Sequence, residues 1–238
     1  MPDQRKHRGP HPLDRQLFAE EAVPGLREAV ADLSWLWSRG YAIDSSLKLV
    51  GDRYALNARQ RIAIARCACS DSAVGRRGRH EVSSSDLSGN ELWIDGYNVL
   101  TSVEAALSQG AILHSRDGCF RDMASMHGSY RRVEETVAAI EIVGQATASL
   151  SVASCRWLFD KPVSNSGRLK TLLGKLAEEH HWNWDIDLVV DPDPILADTD
   201  RIVASADSQI LDKVERWFNL ARFAIESRVP DAWIVDLS

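Results

Sequence analysis

From residue 91 onward the chain alternates short apolar runs with amphipathic stretches, and no other feature constrains the fold as strongly. Leu92-Trp93-Ile94, Ser154 to Phe159, Asp187 to Val190 and Arg201 to Ala204 are each too short for a helix and apolar enough for a buried strand. Helices are expected between them. Thr101-Ser102-Val103-Glu104 reads as a capping box opening a short helix that ends at Gly110. A long helix follows from Tyr130 to Thr147, with Val133, Val137, Ile140 and Gly144 on one face. Leu169, Leu172, Leu173 and Leu176 mark the next, and Gln209 to Ile225 the last. Strands separated by helices need crossover connections, so residues 91–238 are expected to form an α/β domain with a parallel sheet, closed by Trp233 to Val235.

The strands end in acids. Asp95 follows the first, Asp160 the second, Asp191 and Asp193 the third, and Asp207 the fourth. In an open parallel sheet, residues just past the carboxyl ends converge on one crevice. One such Asp is commonly a turn former or a helix cap; four after consecutive strands point to a shared acidic site. Crowded carboxylates repel by roughly a few kcal/mol per pair at an effective dielectric near 20. They stay ionised when a cation neutralises them, and hard oxygen donors suit Mg²⁺ or Mn²⁺. Competing chemistries lack their marks. There is no GxxxxGK[ST] loop, no GxGxxG after the first strand and no GxSxG elbow. Tyr97 stands where a haloacid-dehalogenase-type phosphatase needs a second Asp. His180-His181 reads as solvated surface.

The first third has a different texture. Residues 1–22 are polar and read as a flexible arm, and residues 23–69 as a small helical module. There Leu26, Val30, Leu33, Trp37 and Tyr41 share a helical face that Gly40 terminates, and a short helix from Ser45 to Val50 ends at Gly51. Asn57 and Gln60 form a variant capping box for a helix to Cys69 that buries Ile62 and Ala65 and shows Arg59 and Arg66 on one side. Residues 70–90, rich in Ser, Gly and Arg, read as a linker. The net charge of −6 argues against coating nucleic acid by bulk electrostatics, but it hides a split. Residues 27–80 carry ten Lys and Arg against five Asp and Glu, while residues 91–238 carry fourteen against twenty-three. The four cysteines are too few for a disulfide framework and lack zinc-ligand spacing. The opening MPDQRKHRGPHP has no apolar signal core, and the most apolar window, Val133 to Cys155, is broken by three Glu. A soluble, cytoplasmic protein with no membrane partner is expected.

Trp93-Ile94-Asp95-Gly96-Tyr97-Asn98 resembles the opening strand of PIN-like nuclease domains, particularly the NYN branch, in which an apolar strand runs into Asp-Gly-x-Asn. Val203-Ala204-Ser205-Ala206-Asp207-Ser208 resembles their later Ser-x-Asp strand, and Trp157-Leu158-Phe159-Asp160 the intervening one. More of the chain, most of residues 27–215, is similar to an uncharacterised prokaryotic family, domain of unknown function 434. The shared segments are Arg39-Gly40-Tyr41, Leu49 to Tyr54, Arg59-Gln60-Arg61, Ser115 to Gly118, Arg121-Asp122 and Pro162 to Gly167. The resemblance implies metal-facing catalytic roles for Asp95, Asp160 and Asp207, and a ligand-orienting role for Asn98. It implies a further acid from a helix, with Glu135 the candidate and Glu134 its rival, and an approach of Asp122 to the site. Asp193 is preferred to Asp191 as a ligand because Asp191 can serve the turn before Pro192. The third acidic position of PIN domains carries no clear motif here.

The expected function is metal-dependent endoribonuclease action on RNA. Arg39, Arg53, Arg59, Arg61 and Arg66, with Arg76, Arg77 and Arg79, would hold the backbone. Ser164 and Ser166 would touch a phosphate unless Ser166 caps the following helix, and Tyr97 would stack on a base unless it packs in the turn. The alternatives are a non-catalytic RNA-binding or regulatory protein and a small-molecule phosphohydrolase.

Overall fold

The computed structural model describes residues 7–124 and 130–238. The chain begins with α1 (Asp14–Leu17) and α2 (Val23–Ser38). Pro24 stands in the first turn of α2, where its missing amide has no intrahelical partner to lose. At the other end Gly40 adopts φ 77° and the Tyr41 amide reaches back to the Leu36 carbonyl, which satisfies the last turn. Leu26, Val30 and Leu33 are buried as their spacing requires, whereas Tyr41, past the turn, is exposed. α3 (Ile43–Arg53) continues through Gly51 instead of ending there: the Arg61 side chain occupies the space a Cβ at position 51 would need. α4 (Ala58–Cys67) opens with the expected box, Gln60 N–H donating to Asn57 and Asn57 N–H to the Gln60 side chain. Its buried face is Ala63, Ile64 and Cys67, which turns Ile62 outward, contrary to the expectation.

Two expected flexible segments are structured. The stretch read as a linker holds α5 (Asp71–His80), capped by the Ser70 hydroxyl, and a 3-10 turn over Ser84–Leu87. Of the expected loose arm, residues 1–6 lie outside the described residues. Further on, Asp14 and Phe18 are buried, Arg59 pairs with Asp14, and Arg8 pairs with Glu104.

The α/β half runs β1 (Glu91–Asp95), α6 (Gly96–Leu107), β2 (Ile112–His114), β3 (Phe120–Asp122), α7 (Thr136–Ser149), β4 (Ser154–Asp160), α8 (Ser166–His180), β5 (Trp184–Val189), α9 (Pro192–Ala197), β6 (Ile202–Ala204), α10 (Ser208–Leu211), α11 (Leu220–Arg228) and β7 (Ile234–Asp236). Four strands form the parallel sheet, in the order β5-β4-β1-β6. β7 does not close it. Together with β2 and β3 it makes a second, three-stranded sheet that the apolar pattern of the sequence did not announce. Thr101 to Glu104 is not a helix start either, because α6 begins at Gly96, directly after β1. Glu104 is instead buried, accepting hydrogen bonds from Tyr130, Thr136 and Arg8. The expected helix over 209–225 is two, α10 and α11. The stretch between them lets Trp217 bridge to Glu81 and Val203.

Three apolar clusters hold the layers. One face of the main sheet packs α6, α7, α8 and α11 around Trp157, Phe159, Ile94 and Leu100. The other packs α9 and α10 through Leu158, Val203, Leu196 and Ile210. The third joins α2, α3 and α4 to the second sheet through Leu33, Ile64, Leu113, Met123 and Val235. The helical region therefore shares a core with the α/β half. Among the described residues no helix is long and apolar enough to cross a membrane.

A buried ion triad fastens the same junction. The Asp117 carboxylate takes a 2.6 Å bond from Arg77 of α5 and a 2.8 Å bond from Arg121 of β3, and Arg77 reaches Asp212 at 2.8 Å. Two cations hold the Asp117 carboxyl well below the usual carboxylate range despite its burial. Removing it strands the buried Arg121 guanidinium without a carboxylate and leaves Arg77 with Asp212 alone. Asp117→Ala is therefore expected to cost about 3 kcal/mol or more, read as a shift of the urea midpoint, whereas removal of the exposed Arg53 side chain should leave that midpoint in place.

Candidate functional site

Because β6 lies on the opposite side of β1 from β4 and β5, the chain reverses its direction of travel across the sheet between β1 and β6. α6 leaves β1 toward one face and α10 leaves β6 toward the other, so a crevice opens between them at the carboxyl ends. It encloses about 470 Å³, and Asp95, Asn98, Asp122, Asp193, Asp207 and Arg66 are among its lining residues.

Local chemistry sets each group. Asp95 ends β1 at the register position opposite Leu158, half-buried, and its Oδ2 accepts the Ser205 hydroxyl at 2.7 Å. Burial first, and then the negative charges of Asp207 and Asp193, push its carboxyl up to about 7 against the Ser205 hydrogen bond. Asp193 is raised as well, by burial and by Asp207, Asp191 and Asp160. Asp160 is raised by burial and by Asp191. Asp160 ends β4 on the same sheet edge beside Tyr97. Asp207 caps α10, its Oδ1 accepting the Gln209 amide at 2.7 Å. Asp191 caps α9 by accepting the Asp193 amide at 3.1 Å, which frees Asp193 to face the crevice. Asn98 Oδ1 accepts the Ala206 amide at 2.8 Å and so pins the end of β6 to α6. Gly96 leaves room for the Phe159 ring where a Cβ would stand.

Asp122 is buried on β3, accepting from Ser102 at 3.0 Å, Thr101 at 3.3 Å and the Ala124 amide at 2.7 Å. Arg66 spans from α4 to the Asp122 and Ala124 carbonyls and forms one wall. Arg121 forms another, giving its Nε to the Ala206 carbonyl at 2.8 Å. Tyr97 packs rather than presenting a face: it is 4% exposed, 5.3 Å from the Tyr130 ring and 4.9 Å from Phe159. Burial and the Asp160 charge raise its phenol, whose hydroxyl has no partner among the described residues.

Other expected residues lie elsewhere. Glu135 is bound by His7 at 2.6 Å and Glu134 lies 3.8 Å from His7, alongside Arg8, whose partner Glu104 is nine residues up α6 from Asp95. Neither Glu134 nor Glu135 is among the residues that line the crevice. Arg59 faces Asp14, and Arg53 lies on the surface beside Asp32 and Tyr54. Ser166 does not cap α8. Asn165 stands at the cap with φ 70°, and Ser166 turns its hydroxyl to the Lys161 carbonyl, while the Ser164 carbonyl accepts the Tyr130 amide. Sequence reasoning assigned no site role to Arg121 or to the Thr101-Ser102 pair. A hydroxyl pair in mid-helix after an apolar run was the available signal.

Among the described residues no group of three or more His, Cys, Asp or Glu side chains is already arranged to hold a metal ion. The donor chemistry nonetheless fits a hard divalent cation: all the candidates are carboxylate oxygens, and their mutual repulsion is what such an ion relieves.

Comparison with known proteins gives families without activities. Residues 84–223 match the Domain of unknown function DUF5616, and residues 25–79 match the Protein of unknown function DUF434. The DUF434 similarity thus covers the helical region as expected but stops there; the α/β half matches a different family, and no PIN or NYN family is matched. The Uncharacterized protein MJ0935 of Methanocaldococcus jannaschii is 28% identical over 203 residues, covering 84% of this chain and 97% of that protein. No solved structure matches the chain significantly.

The raised Asp95 carboxyl has a measurable consequence. The native state holds a proton there that the unfolded state releases near the ordinary aspartate value of 3.8, so stability falls as pH rises from about 4 to about 7. In divalent-free buffer, Asp95→Asn is expected to flatten that part of the melting-temperature profile and to melt above wild type at pH 8. Parallel profiles for the two proteins would remove the buried, repelled carboxylate.

Proposed function

We propose an activity for this chain, which belongs to the DUF5616 family: metal-dependent endoribonuclease action, hydrolysing RNA phosphodiester bonds at the acidic crevice. The observation that carries the reading is the convergence of Asp95, Asp193 and Asp207 at the switch point of a parallel sheet, with Asp95 pushed up to about 7. The chain's own cations relieve this crowding only in part, through Lys213, which lowers the Asp193 carboxyl against the three aspartates that raise it. Arg121 is committed to Asp117, and Arg66 to two backbone carbonyls. PIN-like identity, supported by the Asp95-Gly96-Tyr97-Asn98 resemblance, belongs to the same proposal and is what selects RNA as the substrate.

Asp95, Asp160, Asp207 and Asp193 are the residues that would hold Mg²⁺ or Mn²⁺. When bound, the ion supplies charge neutralisation and Lewis-acid polarisation of a phosphoryl oxygen. The remaining work falls to the chain. Whichever of Asp95 and Asp193 stays off the ion is suited to take the proton of the attacking water, because burial and neighbouring carboxylates raise the proton affinity of both. Ser205 fixes the rotamer of Asp95, and Asn98, its oxygen spent on Ala206, keeps its NH₂ for a phosphate oxygen. Arg66 and Arg121 set a positive wall against the backbone of the substrate.

A second reading has an observation of its own. Asp207 caps α10, and Asp95 is engaged by Ser205, so both carboxylates also have structural employment. That favours a binding protein that recognises RNA without turnover.

Mn²⁺-dependent cleavage of a single-stranded RNA is expected for wild type, with Asp95→Asn lowering the rate at least about 100-fold and leaving RNA affinity unchanged. Salt-sensitive binding without turnover in wild type selects the second reading. Hydrolysis of a nucleotide but not of RNA selects a small-molecule phosphohydrolase.

A further inference from the structure

Next to the acidic crevice lies a cavity of opposite character. It encloses about 370 Å³ and is walled by Arg131, Arg132, Arg168 and Asn165 over a floor that includes Tyr130 and Leu169. No Asp or Glu is among its lining residues. Arg132 and Arg168 are exposed and make no hydrogen bond or ion pair among the described residues. The guanidinium groups of Arg132 and Arg168 are gathered here without a carboxylate among the lining residues, and their like charges repel.

The frame around them is rigid. Asn165 holds its left-handed conformation with its Nδ2 bonded to the Tyr130 carbonyl at 3.0 Å, and the Ser164 carbonyl takes the Tyr130 amide. The two segments that supply the arginines are therefore bolted together. α8 starts at this point with no side-chain cap, so its positive end adds to the field of the arginines. A single ring pair separates this cavity from the crevice. Tyr97 lines the crevice, Tyr130 lines the cavity, and their centroids are 5.3 Å apart. The loop between them begins at Lys161, directly after Asp160.

The geometry points to a phosphate-binding subsite formed by Arg132 and Arg168 with Arg131 and Asn165, receiving a backbone phosphate of the RNA strand that crosses the acidic crevice. The RNA source rests on the function proposed above; the phosphate chemistry rests on the arginines alone. Guanidinium forks match phosphate oxygens, and the Tyr130 and Leu169 floor gives a ribose or base an apolar surface. The carboxylates of the crevice repel the backbone it would cleave, and this neighbour adds to the attraction that Arg66 offers.

The test is fluorescence anisotropy of a labelled single-stranded RNA oligonucleotide across a salt series. The Arg132→Ala/Arg168→Ala double variant is compared with Lys175→Ala/Arg216→Ala, which removes the same charge elsewhere on the surface. The first is expected to bind roughly tenfold or more weakly, with a salt slope shallower by about 1.4 for two lost single-strand contacts. Its Mn²⁺ titration by calorimetry should match wild type. Unchanged affinity and slope, or an equal loss in the Lys175/Arg216 variant, overturns the subsite and leaves the endoribonuclease reading standing if wild type still cleaves. If wild type binds no RNA, that reading fails by itself, and calorimetry with inorganic phosphate and with a mononucleotide decides the subsite. Saturable uptake lost in the Arg132/Arg168 variant upholds it with a small phosphorylated molecule as the source, and no uptake overturns it.

Discussion

The Asp117 carboxylate, buried between the guanidinium groups of Arg77 and Arg121, is the contact on which the geometry of the crevice depends. It joins α5 of the helical region to the loop between β2 and β3. Through Arg121 it then reaches the Ala206 carbonyl at the end of β6, and through Arg77 the Ser208 carbonyl at the start of α10. Both walls of the crevice are thereby referred to one buried anion. Such a triad contributes little net stability over an apolar replacement, because three charges are desolvated to make it. What it contributes is position: it has one good geometry, whereas apolar side chains of the same volume would have several.

Two shorter ties complete the frame across the β1–β6 gap. Asn98 holds the Ala206 amide, and Ser205 holds Asp95, so the residues following β1 and those following β6 move as one unit. The price of that frame is an Asp95 carboxylate kept where burial and like charges disfavour ionisation. Beyond the Tyr97–Tyr130 pair the charge reverses in the arginine-walled cavity. Carboxylates thus predominate in one hollow and guanidinium groups line its neighbour without any, although ion pairs such as Arg156–Asp187 occur elsewhere on the molecule.

Much of the main sheet was legible because a buried parallel strand has an unmistakable composition. β1, β4 and β6 are short, apolar and followed by Asp, and α8 carries a clear heptad-like run of Leu. The second sheet was not legible. β2 and β3 are three residues each, with His114, Arg121 and Asp122 among them, and the buried Arg121 and Asp122 are matched by Asp117 in the intervening loop and by Ser102 and Arg66 from distant positions. The same cause hid α5. A ten-residue stretch with two Gly has poor helix propensity, and Arg77 anchors it by finding Asp117 forty residues away. Glu104 was misread as a cap because its true partners, Arg8 and Tyr130, lie far along the chain in both directions.

The amino-acid order alone determined the α/β class of the C-terminal half, the helical character of residues 23–69, and which carboxylates stand at the ends of strands, since local periodicity and strand-end position are properties of neighbouring residues. Only the tertiary structure decided the rest. It placed Asp95, Asp193 and Asp207 in one crevice and left Glu135 outside its lining. It brought Arg66 alone of the expected arginines to the wall, and it gathered Arg131, Arg132 and Arg168 in the cavity beside it. The physical reason is that these placements follow from strand order and from charge pairs between residues far apart in the chain, and a window of local sequence carries neither.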